Sequence, residues 1–279
     1  MADHDQTALN IVLDAVASVA LREQILYMKV QPPAGRTDIE RVLCERGFVL
    51  SDLPAAPAAT VLVDLRRTPE ELLAGMRATA RKHVRRAIRD GIDIRPAGHE
   101  GLAAFRELMA KAGKRIEGFV QYPPDYYAAI LRQFGPRAQL LLAERDGEVL
   151  SGELIIGYGE TVIDKVAAWS GEHANLTPNE LLQWRAMQWA RDQGYRYYDL
   201  EGISESVARA IVAGDGVPES GRRGPTNFKL GLGGDVVLFP RAYDRSFHTL
   251  LVWPARIVAP RLSRAQSWAH RLQGRAPSE

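Results

Sequence analysis

The stretch from Leu140 to Leu200 constrains the fold more than any other part of this sequence. Leu140 to Glu144 and Val149 to Tyr158 are apolar, β-prone runs separated by Asp146-Gly147, a dipeptide suited to the left-handed backbone of a tight hairpin turn. Thr161 to Trp169 reads as a third strand. The period then changes: Thr177-Pro178-Asn179-Glu180 has the form of a capping box with proline at the first helical position. It opens a helix that runs to Gly194 and gives way to the strand Arg196 to Leu200. Hairpin, strand, helix and strand in this order predict an α/β (α+β) class, a mixed sheet flanked by helices.

The flanking sequence extends this pattern. Leu9, Val12, Leu13, Val16 and Ala20 recur at helical spacing, Ile25 to Val30 reads as a short strand, and a helix around Ile39, Val42 and Leu43 ends at Gly47. Thr60-Val-Leu-Val-Asp-Leu65 predicts a buried strand. A single helix is predicted from Pro69 to Arg89, with Glu70 and Glu71 in its first turn, where the helix dipole favours acids. At about 100° per residue, Leu72, Leu73, Met76, Ala80, Val84, Ala87 and Ile88 fall on one side. Arg77, Arg81, Lys82, Arg85, Arg86 and Arg89 fall on the other, with no acid among them. Two further helices, around Leu102 to Met109 and Tyr126 to Phe134, are expected to close at Gly113 and Gly135. Ser204 to Thr226 is rich in Gly, Ser and charge without a period and reads as a surface loop.

Net charge over the 279 residues is only +2, so no partner follows from the balance alone. The distribution says more: besides the basic helix face, Arg245 to Ser278 carries six arginines and no acid. The lone Cys44 forms no internal disulfide, and the six histidines show no metal-ligand spacing, so structural metal is not expected. No apolar run reaches the roughly eighteen residues of a membrane span, and Met1-Ala-Asp-His-Asp lacks the basic start of a signal peptide. A cytoplasmic protein is expected.

Three ordered, widely spaced pieces carry a resemblance. The first is Thr60 to Leu65 followed by Arg81-x-x-x-Arg85-x-Ala87 and Gly91. The second is Pro178-Asn-Glu-Leu-Leu182-x-Trp184, leading through Gly194 to Tyr198-Asp199-x-x-Gly202. The third is Asn227-Phe-Lys229-x-Gly-x-Gly-Gly234. Together, over about residues 20 to 245, they resemble the Fem family (FemABX type), aminoacyl-tRNA-dependent transferases that build peptidoglycan interpeptide bridges. The resemblance implies an acetyltransferase-like (GNAT) fold with one complete lobe and a partial N-terminal lobe. Residues 1–58 would form the partial first lobe and 59–235 the second, with 236–279 returning to the first lobe and ending in a basic amphipathic tail. Family members carry a longer N-terminal segment, so a half lobe with an exposed sheet edge is expected here. Gln31-Pro32 stands where the family usually has an acid before proline, and Asp199-Leu-Glu201-Gly202 stands for its Asp-x-Gly-Gly.

What the resemblance implies about chemistry maps residue by residue. Lys229 would stabilise the negative charge that develops as an amine attacks an aminoacyl ester, and Phe228 would pack near the terminal adenine. Asp199, at the C-terminal end of a strand, would take or orient the amine's proton; a carboxylate that only caps a loop is the plain alternative. Arg115, in a segment resembling Arg-x-Gly-Phe with Gly118 and Phe119, would bind the acceptor. Tyr122 and Asn179 join it as substrate-binding candidates, while Tyr126 and Tyr127 suit aromatic core as well as a cleft wall. Arg77, Arg81, Lys82, Arg85, Arg86 and Arg89 would follow the phosphates of a tRNA acceptor stem, against the plainer reading of a solvated helix face. The mixture of Phe247, Trp253 and Trp268 with Arg245, Arg256, Arg261, Arg264, Arg271 and Arg275 suits an anionic membrane surface, or a helix packing back on the first lobe. No cofactor or metal is required, because the ester supplies the activation. The expected partners are aminoacyl-tRNA and a lipid-linked or nucleotide-linked peptidoglycan precursor, met in the cytoplasm or at the inner face of the membrane.

Three rival functions stand beside this one. An acetyl-CoA-dependent N-acyltransferase would need a pyrophosphate loop between Trp169 and Pro178, where the sequence is Ser-Gly-Glu-His-Ala-Asn-Leu-Thr. A tRNA-dependent transferase acting on a small peptide or antibiotic precursor would share the donor. A non-catalytic RNA-binding module would need only the basic helix.

Overall fold

The computed structural model describes residues 2–116, 119 and 122–247. Its elements in chain order are α1 (Ala2–Arg22), β1 (Tyr27–Val30), α2 (Thr37–Glu45), β2 (Val49–Leu50), β3 (Ala59–Asp64), α3 (Pro69–Gly75), α4 (Ala78–Arg89) and β4 (Asp93–Ala97). They continue with α5 (Leu102–Arg115), α6 (Pro124–Phe134), β5 (Ala138–Arg145), β6 (Glu148–Tyr158), β7 (Thr161–Trp169), α7 (Pro178–Asp192) and β8 (Tyr197–Asp199). The last are α8 (Glu205–Val212), α9 (Gly224–Gly231), β9 (Asp235–Leu238) and β10 (Tyr243–Ser246). The described residues form two compact units, one from residues 2–58 and 239–247, the other from Ala59–Leu238.

In the first unit β10 lies between β1 and β2, antiparallel to both, and α1 and α2 close a small core of Leu13, Val42, Leu43, Phe48 and Tyr243. Gln31 has a structural use here: its side-chain oxygen accepts from the amides of Ala55 and Ala56 at 3.0 and 2.9 Å. Ile11, Val12 and Val19 of α1, with Tyr27, Val49 and Leu50 of the sheet, remain exposed. Arg245 stacks over Phe48 and Phe247. Trp253 and Trp268 lie outside the described residues, as do Arg256, Arg261, Arg264, Arg271, Arg275 and Gly118.

The second unit is a seven-stranded mixed sheet in the order β4-β5-β6-β7-β8-β3-β9. Asp146 and Gly147, at φ +52° and +82°, make the hairpin turn between β5 and β6. On one face α4 and α7 pack over Val61, Leu141, Ile155, Val162 and Tyr198; on the other α5 and α6 cover Leu140, Leu142, Leu154 and Ile156. Only β7 and β8 are parallel, and they pair for three residues, from Thr161↔Tyr197 to Ile163↔Asp199. Beyond Asp199 the chain stays with β3, where the Leu200 and Ile203 amides donate to the Val61 and Ala59 carbonyls at 3.0 Å each. β7 runs on to Trp169 paired with β6 and no longer with β8. A bulge at Lys165, between the pairs Ile155↔Asp164 and Leu154↔Val166, marks where the two strands part.

Four sequence expectations are corrected. The predicted helix from Pro69 to Arg89 is two helices: Thr68 and Glu71 form a capping box for α3, and Met76 is extended at ψ 153°. The Arg77 amide then bonds the Gly231 carbonyl at 2.8 Å, so a tertiary hydrogen bond replaces the intrahelical one. Leu72, Met76, Ala80, Val84 and Ala87 still share the buried side, but Ile88 is 50% exposed. α5 passes through Gly113 to Arg115, because burial of Leu108, Met109 and Ala112 outweighs the roughly 1 kcal/mol that a helical glycine costs. Ser204 to Thr226 is not a plain loop; Val207 and Ala208 are fully buried and anchor α8. Finally, Thr177 and Glu180 form no capping box. Thr177 adopts φ +52° and its hydroxyl donates to the His83 carbonyl at 3.3 Å, while Glu180 Oε1 lies 2.7 Å from His83 Nδ1. Docking on α4 takes both polar groups away from local capping.

Candidate active site

The parting of β7 from β8 opens a notch at the C-terminal end of β8, the place where an α/β sheet offers ligands a crevice. Lys229 reaches it from α9 and not from a strand end. Its ammonium donates to the Glu201 carbonyl and, at 3.1 Å, to the Gly202 carbonyl. An ammonium has three N–H donors, so one remains for a substrate oxygen.

The loop carrying those two carbonyls is held from both sides. Asp199 Oδ1 accepts from the Thr60 hydroxyl and from the Glu201 amide at 2.8 Å, so this carboxylate shapes the loop. Glu201 sits at φ +42°, a backbone that costs an L-residue about 1–2 kcal/mol and that glycine adopts freely. Its side chain pairs with Lys165, at the bulge in β7, at 2.8 Å. Burial pulls the Lys165 ammonium down, and the hydrogen bond and charge of Glu201 more than offset it, for a net upward shift. The result is a bridge between the separated strands.

Further along β7 lie the other candidates. Tyr122 stacks on Tyr126 with centroids 4.1 Å apart, and both act electrostatically on Lys165. Tyr127 is core, 2% exposed and edge-on to Phe105. Arg115 donates to the Trp169 carbonyl at 2.9 Å and lies over the Trp169 ring at 4.7 Å. Asn179 is half-buried in the first turn of α7, and Phe228, on α9, packs against the core.

The basic residues divide into two groups. Arg77 donates to Asn227 Oδ1 at 2.9 Å, and Arg81 donates to the Ala74 and Met76 carbonyls that end α3. These two hold the α3–α4 junction against α9 and so help place Lys229. Lys82 and Arg85 are exposed, while Arg86 and Arg89 approach Asp90 at 3.2 and 3.5 Å.

The sequence reading passed over the most perturbed groups in the unit. Glu153 on β6 and Asp164 on β7 are 0% and 7% exposed. The Tyr198 hydroxyl donates to Glu153 Oε1, and Gln183 Nε2 donates to Asp164 Oδ2 at 2.8 Å. Burial, with the adjacent Asp164 charge, pushes Glu153 well above the usual carboxylate range; burial also pushes Asp164 up to about 6. A single acid in the interior of each of two mainly apolar strands was the available signal. Because both acids bind protons more tightly folded than unfolded, stability falls as pH rises from about 4, the unfolded value, through about 6. The double variant Glu153→Gln/Asp164→Asn should therefore exceed the parent by about 1–3 kcal/mol at pH 8, with the gap closing toward pH 4. Urea unfolding at pH 4, 6 and 8 measures this, and a gap that does not change with pH would contradict it.

Comparison with known proteins follows this geometry. Residues 74–207 match the acetyltransferase (GNAT) domain model. A 155-residue segment, 51% of this chain, is 29% identical to lipid II:glycine glycyltransferase of Staphylococcus aureus, and it spans 36% of that relative's length. The crystal structure of FemX superposes with a TM-score of 0.76 at 21% identity, covering 88% of this chain and 78% of FemX. The C-terminal domain of a putative lysylphosphatidylglycerol synthetase from Agrobacterium fabrum superposes at 0.58, with 16% identity over 90% of this chain and 78% of that one. The chain thus has the GNAT fold, and over about half its length its sequence is similar to a lipid II:glycine glycyltransferase.

Proposed function

We propose that the chain is an aminoacyltransferase that moves an amino acid from aminoacyl-tRNA to an amine on the stem peptide of a peptidoglycan precursor. The observation that carries this reading is Lys229, held at the notch by two backbone carbonyls with one N–H left to donate. The acceptor nitrogen attacks the ester carbonyl, the C–N bond forms, and the bond to the 3′ oxygen of the tRNA breaks. The amine's proton leaves with that oxygen as a hydroxyl. Lys229 lowers the barrier by meeting the oxyanion, and no cofactor enters the balance.

Acetyl-CoA is disfavoured as donor by the start of α7. Pro178 removes a backbone donor where a pyrophosphate would need one, and Glu180 places a carboxylate in the same turn. The exposed Lys82, Arg85 and Arg89 support a nucleic-acid donor instead. Reversing two of them, Lys82→Glu with Arg85→Glu, should weaken tRNA binding and lower the slope of log Kd against log salt by about 1–2. A slope unchanged in filter binding would remove this face from the donor site.

The acceptor reading draws on the similarity to the lipid II:glycine glycyltransferase. No helix among the described residues is long and apolar enough to cross a membrane, so a lipid-linked acceptor would be met at the surface of the inner leaflet. The decisive assay supplies charged tRNA bearing labelled amino acids to lipid-linked and nucleotide-linked precursors, with acetyl-CoA as the competing donor. RNase-sensitive labelling of a precursor is expected. Consumption of acetyl-CoA without labelling from tRNA would overturn the proposal.

A further inference from the structure

Glu201 touches both lysines of the notch. Its backbone carbonyl accepts from the Lys229 ammonium, and its carboxylate Oε1 accepts from the Lys165 ammonium at 2.8 Å. Lys229 stands on α9 and Lys165 at the bulge where β7 leaves β8, so the Glu201 side chain lies across the notch. The Glu201 and Lys165 side chains are 28% and 27% exposed, drawn back from bulk water yet within reach of a ligand. The other carboxylate oxygen, Glu201 Oε2, takes no hydrogen bond among the described residues and is not buried. A carboxylate accepts several donors, so Oε2 is open to one from a substrate.

We infer that the Glu201 carboxylate, held in place by Lys165, binds the α-ammonium group of the aminoacyl donor beside Lys229. This rests on the reaction proposed above and names the part of the donor that the site recognises. When the ester carbonyl oxygen meets Lys229, the α-ammonium sits on the neighbouring carbon. Two ammonium groups that close repel one another, and an anion within reach of both offsets the repulsion. Glu201 supplies that anion next to the carbonyl with which it already holds Lys229.

The local structure is built for this use. Asp199, the other carboxylate of the loop, spends Oδ1 on the Thr60 hydroxyl and the Glu201 amide and so fixes the Glu201 backbone. That backbone, at φ +42°, is one that glycine adopts freely and an L-residue only under strain, and strain of this kind gathers where a side chain has a task. Lys165 fixes the far end of the side chain, so little freedom is lost when an ammonium docks on Oε2. A donor with a neutral group in place of its amine forfeits the charge-assisted hydrogen bond. Glu201 is thus a specificity residue, and Lys165 is a positioning residue that acts through it.

The test separates recognition of charge from support of the loop. Acceptor-stem RNA minihelices ending in 3′-amino-3′-deoxyadenosine are acylated either with glycine, whose only charge is then its α-ammonium, or with glycolic acid, which puts a hydroxyl in its place. The amide link prevents transfer, so binding alone is read, by fluorescence anisotropy. The full chain should bind the glycyl form about five- to tenfold more tightly than the glycolyl form. Glu201→Gln keeps an oxygen for Lys165, and Glu201→Gly relieves the backbone. Both should bring the two affinities to within about twofold of each other, chiefly by weakening the glycyl form. If Glu201 only supports the loop, the variants will weaken both forms alike and keep the ratio, which overturns the inference. A ratio near one in the parent would assign Glu201 to the acceptor amine or to no substrate, and overturns it equally. Loss of the ratio in a protein that labels no precursor would leave the ammonium site standing and reject only the proposed reaction.

Discussion

Lys229→Ala is expected to lower kcat/KM for aminoacyl transfer by about 10²–10³-fold while leaving the Kd for tRNA within about twofold. The magnitude follows from the loss of one preorganised donor to a developing oxyanion, a loss of about 2.7–4 kcal/mol in comparable sites. The variant also strips the Glu201 and Gly202 carbonyls of their donor. Both lie in a notch that water can enter, so the fold should survive, as a thermal melt would show. Lys229→Arg keeps the charge but not the compact three-donor geometry and should recover only part of the rate. A decrease of less than tenfold in Lys229→Ala would separate this lysine from the chemistry.

The second large effect is on stability. Gly234→Ala is expected to destabilise the protein by about 3 kcal/mol, a large share of the 5–15 kcal/mol typical of a domain. Gly234 has φ +97°, and an added Cβ would lie 2.7 Å from the Leu62 carbonyl oxygen and 3.0 Å from Val63 Cγ2. Backbone strain and steric overlap, each about 1–3 kcal/mol, therefore act at one position. The overlap falls on β3, the strand that carries both β8 and β9. Gly75→Ala serves as the control: a Cβ there meets nothing within 4 Å, so the change should be neutral or stabilise by up to about 1 kcal/mol. Urea denaturation of both variants measures the difference, and equal midpoints would refute the close-contact account.

These two predictions concern one motif read at two levels. Asn227-Phe-Lys229-x-Gly-x-Gly-Gly234 stood out in the sequence as a resemblance, with Lys229 as its chemical residue. The structure explains its other members. Asn227 receives Arg77, the Gly231 carbonyl receives the Arg77 amide, and a Cβ on Gly233 would come within 3.0 Å of the Gly75 carbonyl. The small residues let α9 lie against the α3–α4 junction, and that contact fixes where the lysine ends up. The same docking splits the amphipathic helix in two and engages Arg77 with Asn227 and Arg81 with the carbonyls that end α3. Amphipathic periodicity could not reveal this, because a hydrogen bond from a residue more than a hundred positions away decides it.

Glu201 shows the opposite relation. In the sequence it is a departure from Asp-x-Gly-Gly; in the structure it occupies a left-handed position that explains why glycine suits it. The ion pair with Lys165 gives this side chain a local use in return.

By itself the sequence determined the class and order of the elements. Strand and helix periods are short-range properties, written in the spacing of Leu140 to Leu200 and in turn residues such as Asp146-Gly147. It also offered Lys229 as a candidate, through the resemblance of a motif whose spacing is local. Only the tertiary structure decided which polar groups act together. Glu153, Asp164, Gln183 and Tyr198 come from four separate elements, and their shared burial, which sets their charge, exists only once β6, β7, β8 and α7 have packed. Electrostatics in a protein interior depends on distance and desolvation, and neither is a property of neighbours along the chain.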